Sequence, residues 1–258
     1  MKSFITILLA VLLFSFSGVL GQEKTADGEN IKTGWNFGGL PVVAYDSDIG
    51  FKYGALVNAF NYGDGTNYPD YRYAIKAEWS RTTKGSGINQ LFFDAKDLLP
   101  NNIRLTADFS YLTEQSLDFY GFNGYEAVYN SLWEDDSEGN EAYRSRMFYR
   151  HERKLLRFKA DFSQPIKGTY FKWLAGFGIY KHTIKPVDID RLNEGKDSAD
   201  MLPDVPGLFD KYVDWGLIHD DEKDGGWTNF IKLGIIYDSR DIEANANKGM
   251  WSEAVLVT

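Results

Sequence analysis

The chain of 258 residues carries 28 Lys and Arg against 37 Asp and Glu, a formal net charge of −9. So acidic a balance argues against nucleic acid, whose binding rests on a basic patch. Cysteine is absent, which excludes disulfides and thiolate metal sites.

The chain opens on an export signal. Lys2 gives a positive start, Phe4 to Phe16 form an apolar run broken only by Thr6 and Ser15, and Val19-Leu20-Gly21 ends on a small residue before Gln22. This is the pattern of a secretory signal peptide over 1–21. The alternative, an N-terminal membrane anchor, is disfavoured because the run is short for a spanning helix. No cysteine follows it, so a lipid anchor is not expected. Residues 22–34 then read as a short periplasmic segment, and 35–258 as a β domain.

About nine strands follow. The first covers Trp35 to Tyr45 and the second Phe51 to Tyr62, with Tyr53, Ala55, Val57 and Ala59 on one face and Lys52, Gly54 and Asn58 on the other. The third, Tyr71 to Arg81, is the clearest. Tyr71, Tyr73, Ile75, Ala77 and Trp79 alternate with Arg72, Lys76, Glu78 and Ser80, and a strand projects successive side chains to opposite faces. A fourth runs from Ile88 to Lys96. In the fifth, Ile103, Leu105, Ala107, Phe109 and Tyr111 alternate with Arg104, Thr106, Asp108 and Ser110. The sixth ends with Leu156, Phe158, Ala160 and Phe162 against Arg157, Lys159, Asp161 and Ser163. The seventh sets Phe171, Trp173, Ala175, Phe177 and Ile179 against Lys172, Gly176, Gly178 and His182. The eighth sets Ile231, Leu233, Ile235 and Tyr237 against Lys232, Gly234, Asp238 and Arg240, and a ninth begins near Met250.

Alternating segments of about ten residues separated by turns are the signature of an antiparallel transmembrane β-barrel. Past the signal no apolar run is long enough for a membrane helix, and aromatics at 16% suit the interfacial girdles of a barrel. The expected fold is therefore all-β. Even-numbered connections, such as Asp97 to Asn102 and Gln164 to Thr169, are short. The fifth and seventh, Thr113 to Arg144 and Thr183 to Gly226, are long. Outer-membrane barrels keep short turns in the periplasm and long loops outside, so the first strand is expected to run outward. An odd strand count leaves two unpaired edges, which points to the N-terminal part of a larger barrel.

Several motifs carry a family resemblance. Gly63-Asp64-Gly65, Tyr68-Pro69-Asp70-Tyr71, Thr83-Lys84-Gly85-Ser86, Asp118-Phe119-Tyr120-Gly121-Phe122-Asn123-Gly124-Tyr125 and Tyr237-Asp238-Ser239-Arg240-Asp241 occur in that order. Together, over about Trp35 to Ala254, they resemble the membrane barrel of the BamA/TamA superfamily, or bacterial surface antigens, in its Bacteroidetes-type form. The most widely shared element is the Asp-Ser-Arg-Asp turn followed by Lys248-Gly249. The resemblance implies a barrel of about sixteen strands in the bacterial outer membrane, acting in insertion, assembly or translocation of outer-membrane proteins. It implies outer-membrane lipid, lipopolysaccharide and nascent outer-membrane proteins as partners. This sequence departs from the family pattern where a proline often precedes the glycine: it has Asn245-Ala246-Asn247-Lys248. It also lacks the lid-loop Arg-Gly-Phe motif, and between Gln22 and Trp35 there is no room for a periplasmic transport-associated domain.

The site residues expected from the turn are Asp238, Arg240, Asp241 and Gly249. Asp238 and Arg240 share the inner parity of the eighth strand. They either pair with charges across the lumen to fix register, or Arg240 grips a lid loop as an arginine fork grips a carboxylate. The first strand contains Gly38, Gly39 and Pro41, which weaken pairing and suit a labile seam at which an incoming strand adds by β-augmentation.

No enzymatic, cofactor or metal site is expected. His182 has the inner parity, as do Ser80, Ser110 and Ser163, but no serine lies in a nucleophile motif; His151 and His219 are the other histidines. The acidic runs Glu134-Asp135-Asp136 with Glu138, and Asp220-Asp221-Glu222 with Asp224, lack the spacing of a calcium loop and read as solvated loops. Two other classes remain: a passive pore or structural barrel without insertase activity, and a soluble β-sandwich enzyme. The sandwich would need a second apolar layer over Tyr73 and Trp79.

Overall fold

The computed structural model describes residues 31–96, 98–122, 128–243 and 246–258. The leader expected at 1–21, residues 22–30 of the 22–34 segment and Asn123-Gly124-Tyr125 lie outside the described residues. The described chain is a single antiparallel meander of nine strands, each bonded to its neighbours in sequence. They are β1 (Trp35–Asp46), β2 (Gly50–Asn61), β3 (Tyr73–Thr82), β4 (Gly87–Ala95), β5 (Arg104–Asp118), β6 (Arg150–Pro165), β7 (Phe171–Lys185), β8 (Gly225–Asp238) and β9 (Trp251–Val257). Two short helices, α1 (Ile189–Asn193) and α2 (Leu208–Asp214), lie in the connection between β7 and β8. Among the described residues no helix is long and apolar enough to cross a membrane.

Cross-strand register carries the alternation seen in the sequence through the sheet, up to a bulge between Glu114 and Leu117 where β5 pairs with β6. Residues directly opposite in a ladder share a face. One row reads Val57, Ala77, Leu91, Phe109, Phe158; another reads Ala160, Phe177, Ile231. These belong to an outer face on which Val57, Leu91, Phe109, Ile231 and Leu233 remain 46–60% exposed. The adjacent row, Glu78, Gln90, Ser110, Arg157, Tyr180, lies on the inner face. Ser80, Asp94, Asp108 and Ser110 are buried there. The polar side of the sheet is thus the enclosed one, the reverse of a soluble domain.

Outward aromatics gather near both ends of the strands. Tyr53 meets Trp79 edge-on at 5.9 Å, and Lys181 lies over Trp227 at 5.5 Å. At the opposite end Phe171 meets Tyr237 at 5.2 Å. Between the two sets the outer stripe is aliphatic and phenylalanine-rich.

Strand ends differ from expectation in three places. Tyr71 is not an outward residue of β3, which starts at Tyr73. Its hydroxyl instead donates to Asp94 on the inner face at 2.6 Å, because a buried carboxylate competes for the phenol more strongly than an exposed outer stripe. Arg240 lies past the end of β8, so strand parity does not place it. Finally, β1 pairs with β2 at every position from Trp35 to Asp46, including Gly38, Gly39 and Pro41. Its other edge and the outer edge of β9 have no strand partner among the described residues.

The main apolar cores lie in the long connections rather than in the sheet. Residues 119–122 and 128–149 fold against residues 186–224 over the loop end. One core joins Met147, Ile189, Leu192 and Leu202; the other joins Phe148, Tyr149, Leu208 and Tyr212, with Phe119 and Trp133 against it. Asp188 accepts a hydrogen bond from Arg191 N at 3.0 Å at the start of α1, and Asp210 accepts one from Gly207 N at 2.8 Å at the start of α2. Polar groups tie this cap to the distant turns. Asp48, between β1 and β2, accepts from Arg146 and Lys196, both at 2.9 Å, and Arg191 donates to Gln115 at 2.8 Å. Arg146 also pairs with Asp136, and the Lys84 ammonium donates to the Glu194 carbonyl.

Asp48 sets the pH response of the cap. Burial alone would raise its carboxyl, but the hydrogen bonds from Arg146 and Lys196 outweigh burial and hold it below its ordinary 3.8. A carboxylate depressed in the folded state contributes its stability above the unfolded value and loses it as pH falls through the folded one. The tether is therefore intact at neutral pH and released only below 3.8. Replacing Asp48→Asn is expected to weaken cap attachment by about 1–2 kcal/mol at neutral pH. Proteolysis within residues 186–224 should accelerate accordingly, and the variant should lose the acid-dependent step seen in the parent.

Candidate functional site

The Asp-Ser-Arg-Asp turn is built by its own side chains. As β8 ends, Asp238 receives Arg240 in a two-pronged contact, Nε at 2.8 Å and Nη2 at 3.0 Å, and Lys172 Nζ at 2.9 Å. Ser239 Oγ accepts Met250 N at 3.0 Å. The Asp241 carboxylate accepts backbone N–H groups from Ile242, Asn247 and Lys248 at 2.9, 3.0 and 3.3 Å. Desolvation is the largest single influence and would raise Asp241, but the three donors together outweigh it and hold the carboxyl below its ordinary value. Gly249 closes the turn at φ +96°, where a Cβ would stand 2.2 Å from the Ser239 carbonyl oxygen. Only glycine fits both that backbone and that space.

From this turn Glu243 reaches across the inner face. Its carboxylate accepts Arg104 Nη1 at 2.6 Å and Lys96 Nζ at 2.9 Å, and its carbonyl accepts Arg240 Nη1 at 3.4 Å. Arg104 also grips Asp94 through Nε at 2.7 Å and Nη2 at 2.5 Å. Lys96 pairs with Asp70 at 2.9 Å and lies over the Tyr71 ring at 4.8 Å. The β8–β9 connection is thereby stapled to β4 and β5 by alternating charges. Burial would raise Glu243, yet Arg104 and Lys96 more than offset it and leave the carboxyl below its ordinary value. Burial, with the Asp94 carboxylate beside it, pushes the Tyr71 phenol up.

Of the four residues expected here, Asp238 and Arg240 contact each other, Asp241 organises the turn backbone and Gly249 permits it. Arg240 is engaged with Asp238 and the Glu243 carbonyl, so its guanidinium has an intramolecular partner on the turn itself. Sequence reasoning missed Glu243, Lys96 and Asp94. Inner parity flags Arg104 at the start of β5, but Glu243 lies on an irregular segment with no parity to read.

Further up the inner face Asp108 accepts Gln90 at 2.6 Å and pairs with Arg157 at 2.9 Å, while Lys232 pairs with Asp161 at 2.6 Å. A cavity of about 460 Å³ lies between these rows and the turn, lined by Arg104, Asp161, Lys172, Lys232, Glu243 and Trp251 among others. Ser110 hydrogen-bonds Asp108 and Arg157, and the Ser80 hydroxyl is buried without a partner. Among the described residues no serine hydroxyl hydrogen-bonds a histidine, and no group of three or more His, Asp or Glu could hold a metal ion. The two acidic runs are partly paired, Glu134 with Arg150 at 3.3 Å and Asp220 with Lys223 at 2.9 Å.

Fold and site together define an all-β protein: a partial barrel wall with an apolar outer face and an ion-paired interior. No family model matches the chain, and no curated protein matches it. It is similar to the crystal structure of BamA from Haemophilus ducreyi lacking POTRA domains 1–3, at a TM-score of 0.39 and 12% sequence identity. That similarity covers 96% of this chain and 41% of the other, so the chain spans about two fifths of that structure's length.

Three substitutions test the network. Gly249→Ala should destabilise the protein by about 1–3 kcal/mol through backbone strain. Arg104→Ala should cost about 3 kcal/mol, because it strands the buried Asp94 carboxylate. Arg240→Ala should cost less than Arg104→Ala, since Lys172 still neutralises Asp238. Denaturant midpoints of the three variants give the order.

Proposed function

We propose that this sheet is part of the wall of a bacterial outer-membrane β-barrel that acts in the insertion, assembly or translocation of outer-membrane proteins. The observation that carries the membrane reading is the contiguous apolar outer face, with aromatics near both strand ends and the charges turned inward. A soluble monomer rarely leaves so large an apolar surface open, whereas lipid requires it. Strands β2 to β8 run 9 to 16 residues, enough for a crossing that takes about 9–11. On β6 the spanning part runs from Lys154 to Gln164, with Leu156, Phe158, Ala160 and Phe162 on the outer face between them. In a bilayer the free edges of β1 and β9 need strand partners, because unpaired backbone groups are costly in hydrocarbon.

The assembly role comes from the sequence resemblance to the BamA/TamA superfamily. It is supported by β1, an edge strand with Gly38, Gly39 and Pro41 that offers a weakly pairing template for an incoming strand. Export past the inner membrane and contact with lipopolysaccharide belong to the same reading. A second reading, a passive or structural barrel, is favoured by the ion-paired interior, which fills the inner face at Asp94–Arg104–Glu243 and Asp108–Arg157.

Two experiments address the two halves. Leu233→Arg, at the middle of the outer stripe of β8, should cost about 2–4 kcal/mol in membrane-inserted stability. An arginine at the inner-facing Thr228 should be tolerated; equal tolerance at both positions would remove the membrane reading. Depletion of the protein should lower the abundance of many other outer-membrane barrels in quantitative proteomics. Loss of this protein alone, with the others inserted normally, would leave the passive reading.

A further inference from the structure

The start of β6 holds a histidine in an unusual setting. His151 is 7% exposed, and its Nδ1 is buried with no hydrogen-bond partner. Its ring stacks on Phe209 of α2 at 5.5 Å and 24°, and meets Phe119 edge-on at 5.9 Å. Phe119 and Phe209 in turn contact each other at 5.6 Å. The imidazole is therefore one member of a three-ring stack that joins the barrel strand to the cap. Beyond this stack α2 is held by Tyr212 against Phe119 at 5.3 Å and by Leu208 N donating to the Phe148 carbonyl at 2.7 Å.

A seven-residue helix does not persist alone in water, so α2 exists because it is docked. A neutral imidazole suits an apolar stack, and an imidazolium there is desolvated without an acceptor at Nδ1. We propose that His151 is a proton-operated latch: the neutral ring holds α2 against the mouth of the sheet, and protonation releases it.

His151 lies beyond the spanning part of β6, on the cap side. The surrounding charges set the direction. On β5, Glu114 pairs with Arg153 at 2.7 Å and Asp118 with Arg150 at 3.0 Å. On β6, Glu152 is engaged by Lys154 at 3.6 Å; on β7, His182 and Lys185 stand opposite Leu155 and Glu152. The cap contributes Asp210 and Asp214 from α2. Burial, then the Arg153 guanidinium, disfavour the charged imidazole, and Glu114 opposes them in part. The net direction is below the ordinary 6.5. The released state then binds the extra proton, so docking is full above 6.5 and weakens as pH falls below it. Asp210, which burial raises above its ordinary 3.8, acts in the opposite sense. The Asp48 tether titrates below 3.8 and stays in place while the latch opens. The result is a graded response, in which α2 leaves first and the rest of the cap remains attached.

The test is hydrogen exchange of Leu208–Asp214 in the purified full chain, corrected for intrinsic exchange, between about pH 7.5 and about pH 5. Protection should fall at least about threefold on acidification in the parent. It should stay level in His151→Phe, whose ring fits the same stack and cannot be protonated. Unchanged protection in the parent, or an equal loss in the variant, would overturn the latch. Should His151→Phe fail to fold, the parent alone decides: the chain has only three histidines, so imidazole proton resonances resolve each titration. The buried ring's midpoint must coincide with the midpoint of α2 release; separate midpoints would overturn the proposal.

Discussion

A β-strand places alternate side chains on opposite faces, and a slip of one residue exchanges the faces completely. Everything else in this protein depends on nine strands keeping one register. Held in register, the rows through Val57–Leu91–Phe109 and Ile231 present hydrocarbon outward. The rows through Asp94–Arg104, Asp108–Arg157 and Asp161–Lys232 bring opposite charges together inside. The inner pairs are worth little as isolated attractions, since desolvation consumes much of the Coulomb gain. Their value lies in discrimination. A shifted register would bury charges without partners and turn ionised groups onto the outer face, an error far costlier than the bridges are favourable.

This division explains what was legible in the sequence. β3, β5 and β8 are readable because charged residues such as Lys76 and Glu78, Arg104 and Asp108, and Lys232 and Asp238 fall on alternate positions between their apolar residues. The register of the hairpins then follows from short turns. Tyr71 marks the limit of such reading. Its spacing matches Tyr73 and Trp79, but it precedes the strand, and the buried Asp94 carboxylate redirects its hydroxyl inward. Arg240 lies past the end of β8, where strand parity no longer places a side chain, yet it lines the inner cavity beside Asp238. Glu243 could not be found by any period, because it acts from an irregular turn on residues distant in sequence. Asp241 and Gly249 were visible as a motif, but the backbone contacts that give them their work were not.

The cap was the least legible part. Residues 119–149 and 186–224 look like long polar loops rich in aspartate and glutamate, yet they contain two apolar cores. The residues that make them, such as Phe148 with Leu208 or Met147 with Leu192, come from segments far apart in sequence and lack a common spacing. Isolated hydrophobic residues in acidic stretches became informative only when the two connections were brought over the same mouth. Cohesion inside the cap is apolar, whereas its ties to Asp48, Gln115 and Lys84 are polar. Acidification therefore reaches the His151 contact with α2 before it reaches the Asp48 tether. The ionised turn and the cap thus sit at opposite ends of the strands, each fastening segments that the meander alone leaves apart.

The central claim is that the outer face meets lipid and the inner face meets water. Spin labels at single cysteines test it most directly, because the native chain contains no cysteine to compete. Leu233→Cys and Lys232→Cys place neighbouring labels on opposite faces of β8. In liposomes the label at 233 should be relaxed mainly by lipid-soluble oxygen, and the label at 232 mainly by a water-soluble nickel complex. Equal access of the nickel complex to both positions would contradict the account.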